Sequence, residues 1–168
     1  SRRMSASAAL GDVYIAPTAV EYLRRCAQVS HPIETGGVLL GYRRAGAVLV
    51  VSAEEIRDPK STRHSYVTDE RAIQEVLDRL DPADGIGYVG PWHAHPRDLG
   101  HSFQDRCSLR RIAKLYEHPI ASIVLRRTAD GYDLEARVAI DRSVRKGNFI
   151  VQAVPKFPRV GRHQEKRQ

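Results

Sequence analysis

The segment Trp92-His93-Ala94-His95-Pro96 sets two imidazoles two positions apart. In an extended strand, residues i and i+2 face the same way, so both rings reach toward one point and can share a metal ion. Ten residues beyond His95 stands Asp105, at the start of a helix-like segment. A loop and a first helical turn can return such a carboxylate to the strand end. Two histidines and a carboxylate leave one position open in a tetrahedral zinc site, which is the catalytic pattern; a structural site takes four protein ligands, usually with cysteine. Cys26 and Cys107 lack the companion spacing for that role. The expectation is one zinc ion per chain, held by His93, His95 and Asp105.

Zinc lowers the pKa of a bound water to about 7, and the proton released needs a carrier to the leaving group. Glu34 is the candidate. It opens the stretch ETGGVLLGY (34–42), where glycines leave room for backbone or ligand, and a carboxylate suits proton shuttling. Ser102 lies three residues before Asp105, and its hydroxyl is a candidate donor to a tetrahedral oxyanion. Ser102-Phe103-Gln104-Asp105 also fits a capping box, and Glu34 alone also fits a solvated charge at a strand end. The joint order favours hydrolysis: Glu, then His-x-His-Pro, then Ser-x-x-Asp. His101, beside Ser102, is a further imidazole able to compete as a ligand.

These residues need elements to carry them. Residues 13–15 read as a short strand, and Pro17 fits the first turn of a helix whose Val20, Leu23 and Ala27 recur at helical spacing. His31-Pro32 ends it. Residues 34–42 and 47–56 form a hairpin signature around 43–46, with Gly36-Gly37 pointing to a bulge or a close backbone approach. Residues 58–64 read as a loop. Thr68 is placed to cap a helix with Ile73, Val76, Leu77 and Leu80 on one face. Residues 85–96 read as a strand, in which Pro91 argues against a regular central ladder position. A helix is expected over 103–117, then strands at 120–125, 131–140 and 148–154. The sum is one α/β domain of six to eight strands and three helices, over residues 11–154. Residues 1–10 read as a flexible N-terminus and 155–168 as a basic C-terminal tail.

With 168 residues, 42% hydrophobic and 28% charged, the chain suits one soluble domain with a real core. No apolar run approaches the length needed to cross a bilayer, so no membrane partner is expected. Two cysteines are too few for a disulfide framework, and a cytoplasmic setting follows as the default. The net charge of +7 favours acidic partners. The basic residues do not alternate with aromatic ones as a single-strand-binding platform requires, so a nucleic acid is not expected.

Glu34 within ETGGVLLGY, then Trp92-His93-Ala94-His95-Pro96, then Ser102 and Asp105 together resemble the JAMM/MPN+ (JAB-domain) metalloprotease family in its compact prokaryotic form. The resemblance spans roughly residues 10–140. It implies a cytidine deaminase-like mixed sheet flanked by helices, zinc on the two histidines and the aspartate, acid–base work by the glutamate, and oxyanion support by the serine. The interval from His95 to Ser102 holds six residues, one fewer than is usual in the family. The small, stand-alone form with Trp before the first histidine is similar to bacterial deconjugating proteases encoded beside ubiquitin-like activating and conjugating enzymes, including those of antiphage operons. The implied function is an isopeptidase cutting the amide bond after the tail of a ubiquitin-like protein or conjugate. The tail is expected to add as a strand beside the active-site edge.

Two alternatives stand beside that reading. One is a non-catalytic scaffold on the same fold, against which the complete ligand set speaks. The other is a zinc hydrolase acting on nucleic acid or a small molecule, for which the positive charge is the main support. A base deaminase requires a Pro-Cys-x-x-Cys segment, and the chain has none.

Overall fold

A computed structural model describes residues 9–66, 69–116 and 119–155. Along the chain come β1 (Asp12–Ile15), α1 (Pro17–Ser30), β2 (Thr35–Arg44), β3 (Ala47–Glu55), α2 (Glu70–Asp78), a 3-10 turn (Pro82–Asp84), β4 (Gly87–His95), α3 (Phe103–Ala113), β5 (Ile120–Thr128), β6 (Gly131–Ile140), β7 (Ser143–Lys146) and β8 (Asn148–Val151). The strands form one sheet in the order β7-β6-β5-β4-β2-β3-β1-β8. Its pairings are mixed. β4 is antiparallel to β2 and parallel to β5, while β1 is parallel to both β3 and β8. This is the mixed sheet flanked by helices that the sequence implies.

Side-chain alternation along the strands divides the core into two faces. Leu39, Trp92, Ala94, Ile123 and Leu125 join the cluster under α1, which contributes Ala19, Val20, Leu23, Cys26 and Ala27. Val38 and Leu40 point the other way, to Val76 of α2. Ile120 and Ala139 meet Leu109 and Ala113 of α3 on that second face. The largest fully buried side chain is Trp92, whose indole N–H donates to the Glu54 carbonyl at 3.2 Å.

Local chemistry explains the boundaries. The β2–β3 hairpin turns on Ala45 and Gly46, both at positive φ (51° and 81°), as a two-residue primed turn requires. Among the described residues the cap of α2 is Asp69, whose carboxylate accepts from the backbone N–H groups of Arg71 and Ala72; Thr68, read as the cap from sequence, lies outside the described residues. α3 ends at Ala113, short of the expected 117. β7 was not anticipated; its burial is slight, so no alternation marks it.

Pro91 sits in the central strand β4, but not at a regular ladder position, in keeping with what the proline argues. The β2–β4 register skips Val89 between Leu39↔Gly90 and Leu40↔Tyr88, and pairing with β5 starts only at Trp92. A bulge therefore precedes the proline, which is where a residue without an N–H is tolerated in a sheet. Of the N-terminal segment 1–10 and the basic tail 155–168 read from sequence, residues 1–8 and 156–168 lie outside the described residues. Among the described residues, no helix is long and apolar enough to cross a membrane.

Candidate metal centre and active site

β4 delivers the two histidines. Because Trp92 and Ala94 fill the core under α1, His93 and His95 must project from the opposite face, where α3 lies. α3 delivers Asp105 from its first turn. Its N-cap is Ser102, whose Oγ accepts from the Asp105 N–H at 3.1 Å, while the Asp105 Oδ2 accepts from the Ser102 N–H at 2.8 Å. The capping box is thus present, and it aims the Asp105 carboxylate back toward the strand end.

The three ligand groups converge. His93 Nε2 is 3.2 Å from His95 Nε2 and 3.4 Å from Asp105 Oδ1, and His95 Nε2 is 3.5 Å from Asp105 Oδ2. One nitrogen from each ring and one carboxylate oxygen lie within 4.8 Å of one another, close enough to share one small divalent cation, and the donor set of two imidazoles and a carboxylate suits zinc.

Glu34, the residue before β2, reaches the same centre because β2 pairs with β4 there, Thr35 opposite Ala94. Its Oε1 lies 2.8 Å from His95 Nδ1, and both residues are buried. With His95 Nδ1–H donating to Glu34, loss of the ring's other proton would leave the Nε2 lone pair directed at the ligand cluster. A carboxylate behind a ligating histidine sets its tautomer and raises its basicity.

Electrostatics agree with this geometry. Burial disfavours the charged ring of His95, but hydrogen bonds and attraction from Asp105 and Glu34 outweigh it and raise its pKa to about 9. Burial pushes the Asp105 carboxyl upward, and hydrogen bonds from His93 and His95 overcome that and hold it well below the usual carboxylate range. Without an ion, the cluster stores positive charge on imidazole against a carboxylate. A bound cation would displace that proton.

All five residues singled out in the sequence come to this end of β4, and His101 does not join as a ligand. Both its ring nitrogens are engaged elsewhere, by Glu135 and Ser122. Sequence reasoning missed Tyr66. Its ring is stacked parallel to His93, with 6.5 Å between centroids and 3° between planes, and its hydroxyl donates to the Ile56 carbonyl. A Cβ at Gly36 would meet this ring at 2.7 Å and the Trp92 carbonyl at 2.5 Å, which is the close approach that Gly36-Gly37 signalled. No periodicity marks Tyr66, since it arrives through a loop.

A cleft of about 250 Å³ opens beside Glu34, lined also by Val29, Ile33, Thr35, Arg57 and Tyr66. The expected addition of a tail as a strand on the active-site edge finds no edge on β4, because Ala94 is paired with Thr35 of β2 on one side and Leu125 of β5 on the other.

The fold and this centre define a JAB-type domain. Residues 18–139 match the family described as prokaryotic homologs of the JAB domain, and the chain belongs to that family. It is similar to "Probable metalloprotease y4qB" of Sinorhizobium fredii (strain NBRC 101917 / NGR234), at 32% identity over 112 residues that cover 61% of this chain and 66% of that protein. It also resembles the solution structure of protein DSY2949 from Desulfitobacterium hafniense, with a TM-score of 0.67 at 15% identity, over 83% of this chain and 92% of that one. At that identity the likeness speaks for the fold alone.

Proposed function

We propose that the chain is a zinc metalloprotease that hydrolyses the amide bond following the C-terminal tail of a ubiquitin-like protein or conjugate, within a bacterial ubiquitin-like system of the antiphage kind. The observation that carries the hydrolase is the convergence of ligand atoms of His93, His95 and Asp105 within 4.8 Å of one another, with Glu34 alongside. The prokaryotic JAB match and the similarity to a protein described as a probable metalloprotease support the class. The Trp-His-x-His form of the motif supports the deconjugating branch. Two free cysteines are in keeping with a reducing cytoplasm.

Zinc held by His93, His95 and Asp105 supplies Lewis-acid polarisation of the scissile carbonyl and a water activated near neutral pH. The chain's own groups do the rest. Glu34 takes the water's proton and returns it to the departing amine, while its bond to His95 keeps that ring oriented. Ser102 Oγ accepts from the Asp105 N–H through a lone pair, so its O–H remains free to donate to the carbonyl oxygen as negative charge develops there. The substrate tail lies across the cleft beside Glu34, between the end of α1 and Tyr66. A narrow, glycine-ending tail fits such a passage.

The test is direct. The zinc-loaded chain is incubated with ubiquitin-like proteins fused through their C-terminal tail to a reporter, and the products are weighed by mass spectrometry. Cleavage immediately after the tail is expected. Intact fusions beside cleavage of nucleic acid or small amides would overturn the substrate assignment.

A further inference from the structure

The loop from His95 to Ser102 ends in a buried polar cluster that the reaction does not use. The His101 side chain is fully enclosed. Its Nδ1 lies 2.8 Å from Glu135 Oε1 on β6, and its Nε2 lies 3.0 Å from Ser122 Oγ on β5. The His101 backbone N–H also donates to Glu135 Oε1, at 3.3 Å, and Arg137 Nε reaches that oxygen at 3.4 Å. The Glu135 carboxylate presses on Gly100 so closely that a Cβ there would collide with it.

Burial holds the His101 imidazole below its ordinary pKa, so the ring is neutral. Burial pushes the Glu135 carboxyl upward, and its bonds from His101 hold it below its ordinary value. Nδ1–H then donates to the carboxylate, and Nε2 accepts from the Ser122 hydroxyl. Each polar group is bonded, as burial demands. An apolar plug would fill the same slot without this network, so filling space does not account for it. What directional bonds add is a fixed height and orientation for the loop end.

That loop end is the next residue's starting point. Ser102 follows His101 directly, and its N–H and Oγ hold the Asp105 carboxylate and backbone in the capping box. Asp105 in turn stands against His93 and His95.

We propose that His101 is a positioning residue which, braced by Glu135 and Ser122, sets the place of Ser102 and Asp105 relative to the two metal-side histidines. This rests on the metal reading of the site. A displaced His101 shifts the cap, the cap shifts the carboxylate, and the ion is held less well although no ligand has changed.

The experiment compares wild type with His101→Ala, His101→Asn, Ser122→Ala and Glu135→Gln. Zinc affinity is read by competition with a chromophoric chelator, and geometry by the visible absorption of the cobalt-substituted protein. Circular dichroism reports folding. His101→Ala is expected to weaken zinc binding about 10- to 100-fold, the usual effect of losing a group behind a ligand, and to change the cobalt spectrum. His101→Asn keeps an N–H near Nδ1 for Glu135 and is expected to recover much of the affinity. If His101→Ala does not fold, Ser122→Ala and Glu135→Gln serve in its place and are expected to shift both readouts in the same direction. Wild-type affinity and an unchanged cobalt spectrum in the folded variants overturn the inference, even if their thermal stability falls. A wild-type chain that takes up no zinc defeats the metal reading and this inference together, whereas zinc bound equally well by wild type and variants defeats this inference alone.

Discussion

Glu34 Oε1 stands 2.8 Å from His95 Nδ1 across 61 residues of chain. The carboxylate proposed as the proton carrier is therefore also bonded to a histidine proposed as a metal ligand, where it would set the ring's tautomer. The two duties separate by substitution. Glu34→Gln keeps an oxygen for the Nδ1–H but loses proton transfer, so zinc affinity is expected to stay near wild type while kcat falls about 100-fold or more. Glu34→Ala loses both, and zinc affinity is expected to drop about 10- to 100-fold as well. Chelator competition beside rate measurements checks the pair. Equal zinc affinity in Glu34→Ala and wild type removes the orienting role, and full activity in Glu34→Gln removes the catalytic one.

Ser102 also has two duties. Its Oγ caps α3 by accepting from the Asp105 N–H, and its O–H is the proposed oxyanion donor. Ser102→Asp retains a good cap and loses the donor. It is expected to keep most of the thermal stability of the zinc-free protein and to lose kcat about 100-fold, the scale of removing one oxyanion donor. Ser102→Ala adds a stability loss of about 1 kcal/mol from the missing cap. Calorimetry with steady-state kinetics distinguishes them; an active Ser102→Asp leaves Ser102 as a cap and nothing more.

Protonation sets a third expectation. The His95 pKa stands at about 9 when folded and metal-free, against an ordinary 6.5. A raised folded-state value gives stability that is complete below 6.5 and fades as pH climbs through 9. The metal-free protein should thus lose melting temperature over that window. Zinc competes with the same proton, so its affinity should rise over the same range. A metal-free melting temperature that climbs from pH 6.5 to 9 contradicts the assigned charge on His95.

A fourth expectation concerns Tyr66. Tyr66→Phe keeps the ring parallel to His93 and loses the bond to the Ile56 carbonyl, at a cost of about 1 kcal/mol. Tyr66→Ala strips the cover from His93 and opens the cleft. Activity is expected to survive the first change and fall in the second. Loss of activity in both would assign the role to the hydroxyl.

Some of this was written plainly in the chain. His93 and His95 share a face because strands repeat every two residues, and the capping spacing of Ser102 and Asp105 marks where α3 begins. Those are local rules acting over a few residues. The bond from Glu34 to His95 depends on β2 lying beside β4, which no local rule states. Tyr66 reaches His93 from a loop, where periodicity has nothing to report. Pro91 signalled an irregular ladder position, but where the bulge falls is a property of the pairing with β2 and could not be read from the chain. His101 stood out as an imidazole next to Ser102, but only the slot between Ser122 and Glu135 shows that its ring turns inward.

The metal content of the purified chain tests the central claim most directly. Wild type, loaded with zinc and exchanged into metal-free buffer, should retain one zinc per chain by elemental mass spectrometry, and folded Asp105→Ala should retain none. A wild-type chain that holds no zinc, or an Asp105→Ala chain that holds as much as wild type, contradicts the site.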